Sequence, residues 1–128
     1  MQKLLVLLTL VVVYVNCCDI QLSIRSLTPK PFQFQVEIPA LKKKTDKATL
    51  TQVNQQKKVK IDGPNCANKQ WIIRTFKQVG GKWVPAQQHT AKLDGFGRVL
   101  VTVNDDYLPL VTDRIGVSCS EGVICARG

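Results

Sequence analysis

The chain has 128 residues, with 18 Lys and Arg against 9 Asp and Glu, giving a formal net charge of +9. That length holds one domain rather than two. The cationic excess favours anionic partners such as polysaccharides, phospholipid headgroups, microbial envelopes or nucleic acid, and a single histidine leaves little room for imidazole catalysis or a zinc site.

Lys3 precedes the run Leu4 to Val15, in which only Thr9 and Tyr14 carry hydroxyls. A membrane-spanning helix needs about 20 apolar residues, so this run is too short to cross. A positive charge, a short apolar core and a nearby cut describe a secretory signal peptide. Cleavage after Cys17 leaves Cys17 and Val15 as the small residues that the peptidase reads. Cleavage one residue later would put the polar Asn16 in Val15's place. The sequence therefore predicts a leader at 1–17 and a single secreted domain at 18–128, with no transmembrane anchor. The residues before Cys18, "VNC", lack the small pair of a lipidated cysteine.

Cys18, Cys66, Cys119 and Cys125 then remain, and four cysteines in an exported chain predict two disulfides. Longer closed loops constrain the unfolded chain more. That favours Cys66 with Cys119 and Cys18 with Cys125 over a local Cys119–Cys125 link. None of the four forms a C-x-x-C pair, so no metal site is expected.

Ile20, Leu22 and Ile24 alternate with polar residues, as a half-buried strand does. Thr28 to Pro31 breaks it. Phe32, Phe34, Val36 and Ile38 alternate in turn, and Pro39 ends them. The short break between these runs predicts that they pair antiparallel. Lys42, Lys43, Lys44 and Lys47 crowd a loop, followed by a short strand in "KATLTQV". Lys57 to Asp62 reads as a strand with Val59 and Ile61 inward and Lys58 and Lys60 outward. Asp62 to Cys66 is a turn.

From Gln70 to Leu93, two runs flank Gly80-Gly81, a hairpin turn that needs positive φ. A two-residue turn sets Gln78 opposite Trp83 and Phe76 opposite Pro85, which keeps Trp71 and Trp83 apart. "DGFG", Asp94 to Gly97, reads as another turn before "RVLVTV". Asn104 to Asp113 reads as an acidic connection, and "RIGVSC" as the last strand. About seven or eight short strands with frequent turns predict an all-β fold, a small antiparallel β-sandwich. Its edges would carry the charged strands and Pro85.

Cys66, Trp83 and Cys119, with Asp113 six before the last cysteine, resemble the pattern of immunoglobulin domains in architecture only. Val117 stands where that family has tyrosine. The segments before Cys66 and after Cys119 do not fit its strands, so no residue roles carry over.

No catalytic constellation emerges. His89 lies in the polar "AQQHTAK". Ser118, Ser120, Asp94 and Asp113 show no spacing that would assemble a triad around it. Asp105, Asp106 and Asp113 offer three side chains, against the six to eight oxygens that calcium takes. No Asn-x-Ser/Thr site exists in 18–128. The basic residues are the stronger signal: Lys42, Lys43, Lys44 and Lys47, with Lys57, Lys58 and Lys60, form a candidate anion-binding patch. The plainer reading is a charged edge that blocks sheet-to-sheet pairing.

The expectation is a secreted, non-enzymatic interaction protein with a cationic face and no cofactor. Its partner would be a polyanionic glycan, a microbial surface or an extracellular protein. Nucleic acid is not expected, because no aromatic interleaves with the lysines. The rival readings are an antimicrobial or toxin-like effector on anionic membranes, and an enzyme inhibitor.

Overall fold

Alternating burial organises the chain from its first described strand. The computed structural model describes residues 17–125, so the predicted leader lies outside the described residues apart from Cys17. Strand β1 (Cys17–Ser26) buries Cys18, Ile20, Leu22 and Ile24, while Asp19 and Arg25 face solvent. Strand β2 (Phe32–Ile38) repeats the pattern, and its four apolar side chains are at most 1% exposed. Burying one such side chain contributes about 1.5–3 kcal/mol.

Pro39 cannot donate to a ladder and opens a 3₁₀ turn, Pro39–Leu41. Lys42 closes the turn in the left-handed region, at φ 53°, and its N–H donates to the Pro39 carbonyl at 3.0 Å. The chain thereby reverses into β3 (Lys43–Lys44) and then β4 (Ala48–Leu50), both antiparallel to β2. Strands β5 (Gln56–Pro64), β6 (Trp71–Val79), β7 (Lys82–Val103) and β8 (Pro109–Ser120) follow, and a 3₁₀ turn at Val123–Cys125 ends the described chain.

The fold is all-β. One eight-stranded sheet runs β3-β2-β6-β7-β1-β5, with β4 added to β2 and β8 added to β7. It curls into a half-barrel. Strand β7 belongs to both halves: its first part pairs with β6, and its second part lies between β1, in parallel, and β8. The core between the halves holds Trp71, Phe32, Phe34, Ile73, Leu93 and Ile124, all fully buried. The Trp71 indole N–H donates to the Cys66 carbonyl at 2.9 Å. That bond satisfies the one polar atom of a large apolar side chain.

The hairpin at Gly80-Gly81 has the predicted register: Gln78 faces Trp83 and Phe76 faces Pro85. Both glycines have positive φ, 56° and 78°, as a two-residue hairpin turn requires. Pro85 lies where β7 has β6 as its only strand partner among the described residues, so its missing N–H breaks no second ladder.

Four expectations are corrected. Strands β1 and β2 do not pair; β1 lies between β5 and β7, and β2 lies against β6 in the other half. Their alternation buries them in one shared core rather than beside each other. "DGFG" is not a turn, because β7 runs straight through it with a bulge between Gly95 and Arg98. The acidic connection is shorter than predicted, since β8 begins at Pro109.

The fourth correction concerns the disulfides, which join Cys18 to Cys66 and Cys119 to Cys125. Loop-closure entropy speaks to the unfolded chain, whereas pairing is decided by proximity in the folded one. Register sets Cys18 opposite Gly63, so the turn after β5 brings Cys66 over it, with the Cα atoms 6.2 Å apart. The turn after β8 folds Cys125 back on Cys119, at 5.7 Å. The immunoglobulin-like pairing of Cys66 with Cys119 is absent, and Trp71 rather than Trp83 is the buried tryptophan.

Candidate functional site

The two lysine-rich strands occupy the two ends of the sheet path, β3 at one and β5 at the other. An edge strand leaves backbone groups unpaired, and lysines there repel a foreign strand. Curling of the sheet adds a second consequence, because it brings the two edges together. The Lys43 ammonium donates to the Asp62 carbonyl of β5 at 3.1 Å. Leu41, in the turn before β3, lies where a Cβ on Gly63 would stand. The edges therefore meet through side chains, along a seam with no strand-to-strand ladder.

Lys42, Lys43, Lys44 and Lys60 line one open depression in this seam, of about 350 Å³, floored by Ile38 and Ile61. All four lysines are exposed. Each position has a local cause. Lys42 caps the 3₁₀ turn, the reversal places Lys43 opposite Ile38 and Lys44 opposite Glu37, and Lys60 stands on the outward side of β5 next to buried Ile61. Glu37 does not neutralise the group, because the Arg74 guanidinium holds its carboxylate at 2.9 Å. The nearest counter-charge to Lys60 is Asp19, at 3.9 Å across an exposed gap, where an ion pair contributes little.

The other predicted lysines diverge. Lys47 turns onto the Phe76 ring, 4.2 Å from its centroid, and lines a neighbouring groove with Gln35, Arg74 and Gln87, which Lys44 also lines. Lys58 joins Lys60 on the outer face of β5, beside Asp19, Gln21 and Phe96. Lys57 is exposed with the opposite parity, in line with Val59 and Ile61. The patch read from the sequence is thus split: Lys42, Lys43, Lys44 and Lys60 are brought together, Lys58 adjoins them through Lys60 and Lys47 through Lys44, and Lys57 is not part of the group.

His89 is half-buried and bonded through Nε2 to the Gln87 amide oxygen at 3.0 Å. Asp106 accepts the Leu108 N–H at 3.1 Å and so closes its own turn. Asp113 stands on β8 opposite Leu100, away from that loop. Among the described residues, no three His, Cys, Asp or Glu side chains converge as a metal site would require. Also among them, no helix is long and apolar enough to cross a membrane.

Sequence reasoning missed Phe96 and Arg98, which the bulge presents on the outer face. The signal available was the pair of glycines flanking Phe96, which suits a bulge as well as a turn. No protein-family model matches the chain, and no curated protein matches it.

Proposed function

We propose that the protein is a secreted, non-enzymatic interaction protein that holds anionic glycans or other anionic extracellular surfaces on its lysine seam. One observation carries this reading: Lys42, Lys43 and Lys44 from one sheet edge and Lys60 from the other line a single depression. Edge protection alone asks only that each edge be charged. It does not ask that two charged edges face each other, where like charges repel. An anion in the seam relieves that repulsion. Two disulfides suit an oxidising compartment. In this reading, residues 1–17 are removed on export and Cys18 begins the mature chain; an intact mass starting at Asp19 would end that part of it. The two halves of the curled sheet then act as the layers of a small β-sandwich sharing β7, with the seam on the side where they share no ladder.

The test is retention on immobilised heparin. Exposed charges are screened over about 8 Å at 0.15 M ionic strength, so elution should shift strongly with salt. Replacing Lys42, Lys43 and Lys44 with Gln should lower the eluting salt much more than replacing Lys69, Lys77 and Lys82. Both triples remove the same charge, and the control set avoids Lys92, which is tied to Glu121 at 3.0 Å. Equal shifts would leave only diffuse basicity. Leakage of anionic vesicles without heparin retention would favour a membrane-acting effector instead.

A further inference from the structure

The outer face of β5, β1 and β7 carries a second arrangement, and its rungs are set by register. Lys60 stands opposite Gln21, and Gln21 stands beside Arg98. The next rung holds Asp62, Asp19 and Phe96. Neighbouring strands lie about 4.8 Å apart, so Lys60 and Arg98 flank Gln21 on one rung, with Phe96 diagonal to it. Asp19, Gln21, Lys58, Lys60 and Phe96 line one open depression of about 600 Å³.

Phe96 is 62% exposed and is the one aromatic among the strongly exposed large apolar side chains of the described residues. The backbone is built to put it there. Gly95 and Gly97 flank it, and a Cβ at either would run into the backbone of β8. Gly116, across the bulge, has φ 73°, and a Cβ there would meet the Phe96 carbonyl. Three glycines thus allow the close approach that turns one phenylalanine out to solvent, at the end of the rung of Asp62 and Asp19 and next to the rung of Lys60, Gln21 and Arg98.

We infer that this face binds a saccharide ring bearing a carboxylate or sulfate, with Phe96 as its stacking platform. The inference rests on the proposed glycan-binding reading and adds a residue and a sugar class to it. A sugar ring presents an apolar C–H face, which Phe96 can cover. Its hydroxyls need donors and acceptors, which the Asp19 carboxylate and the Gln21 amide supply. Its anionic substituent needs cations, and among the described residues Lys58 and Arg98 make no ion pair. A polyphosphate would have no use for the aromatic. An anionic lipid surface would lay headgroups over Asp19 and Asp62 as well, whereas a single sugar can set its anionic substituent toward Lys58 and Arg98 and its hydroxyls toward Asp19. Lys60 lines this depression and the seam alike, so one glycan chain can run from Lys42–Lys44 over Lys60 to Phe96.

The experiment titrates a heparin-derived hexasaccharide and, separately, inorganic polyphosphate and phosphatidylserine vesicles by calorimetry, into the wild type, Phe96→Ala, Phe96→Tyr and the Lys42/Lys43/Lys44→Gln triple. Phe96→Ala should bind the hexasaccharide about tenfold more weakly, the scale of losing the apolar contact of one ring. Phe96→Tyr should retain the affinity, and neither change should alter polyphosphate binding. Far-ultraviolet circular dichroism checks that both variants are folded. Unchanged hexasaccharide affinity in folded Phe96→Ala overturns the inference, as does an equal loss for polyphosphate. So does a loss confined to phosphatidylserine vesicles, which would make Phe96 a membrane anchor. If the lysine triple has no effect while Phe96→Ala weakens binding, the seam reading falls and the platform stands. If the wild type binds polyphosphate but not the hexasaccharide, the platform falls and the cationic seam stands.

Discussion

The two sides of strand pair β1–β7 end in different ways. On one side lies β5, an edge strand with Lys57, Lys58 and Lys60 in its first half, which meets the far edge of the sheet through side chains at the seam. On the other lies β8, with one Asp and one Arg in twelve residues, drawn against β7 so closely that glycine is needed on both strands. Each side has its own disulfide: Cys18–Cys66 ties the end of β5 to β1, and Cys119–Cys125 closes the end of β8 on itself. The charged edge is held by a covalent link across a long loop and leaves its side chains free for a ligand. The glycine-rich side is held by its own backbone. In the proposed reading, position rather than strand content divides binding from bracing.

The largest effect that sharpens this contrast comes from the disulfides. The closed loops differ, with sequence separations of 48 and 6 residues. In the chain-entropy account, the first link contributes about 4 kcal/mol and the second about 2 kcal/mol. Unfolding in guanidinium should therefore show Cys18→Ser/Cys66→Ser losing roughly twice the stability lost by Cys119→Ser/Cys125→Ser. A reversed order would mean that the β8 end, and not the lysine edge, depends on its covalent tie.

Next in size is the glycine contact. Gly116→Ala places a side chain in the left-handed region against the Phe96 carbonyl. Backbone strain there costs of order 1–3 kcal/mol, and β8 must also shift. The variant should lose about 2–3 kcal/mol in the same denaturant experiment, a cost of strained φ/ψ that no new contact offsets. A loss under about 0.5 kcal/mol, the range of an ordinary surface change, would show that β8 slides freely and that the contrast is false.

The β1–β7–β8 region also shows how far the sequence could be read. Alternation predicted the inward faces of β1 and β2, because burial of every second side chain is a local property. The Gly80-Gly81 register was equally local, since a two-residue turn fixes the pairs next to it, from Val79 with Lys82 to Phe76 with Pro85, before a bulge shifts the ladder at Thr75. Neighbours were not local. Ile20, Leu22 and Ile24 look the same whether β1 lies beside β2 or beside β5 and β7, and the parallel pairing with Val99 and Val101 joins segments far apart in the chain. Glycine carries two meanings, so "DGFG" suited a turn as well as the bulge it forms. The lysines of the seam were visible as a window of charge. Which of them converge depends on the curl of the sheet, and the left-handed Lys42 that reverses the chain has no strong sequence signature, unlike a glycine at such a position. Phe96 stayed hidden because a phenylalanine is ordinarily taken as core.

The smallest expected effect tests whether the seam is soft. Lys43 makes the one side chain-to-backbone hydrogen bond found between the two edges among the described residues, at 3.1 Å to the Asp62 carbonyl, and it is exposed. If the edges are joined mainly by Leu41 packed on Gly63, losing that bond exposes no buried polar group, since water can solvate the freed carbonyl. Lys43→Gln should then change the unfolding free energy by about 0.5 kcal/mol or less, as surface substitutions usually do. Its heparin retention should still fall, because the lost charge lies inside the seam depression. The two readouts separate the roles of one side chain. A stability loss above about 1.5 kcal/mol, more than an exposed hydrogen bond contributes, would make Lys43 a structural clasp. The lysine seam would then brace the fold as the glycine side does, and the division between a binding edge and a bracing edge would break.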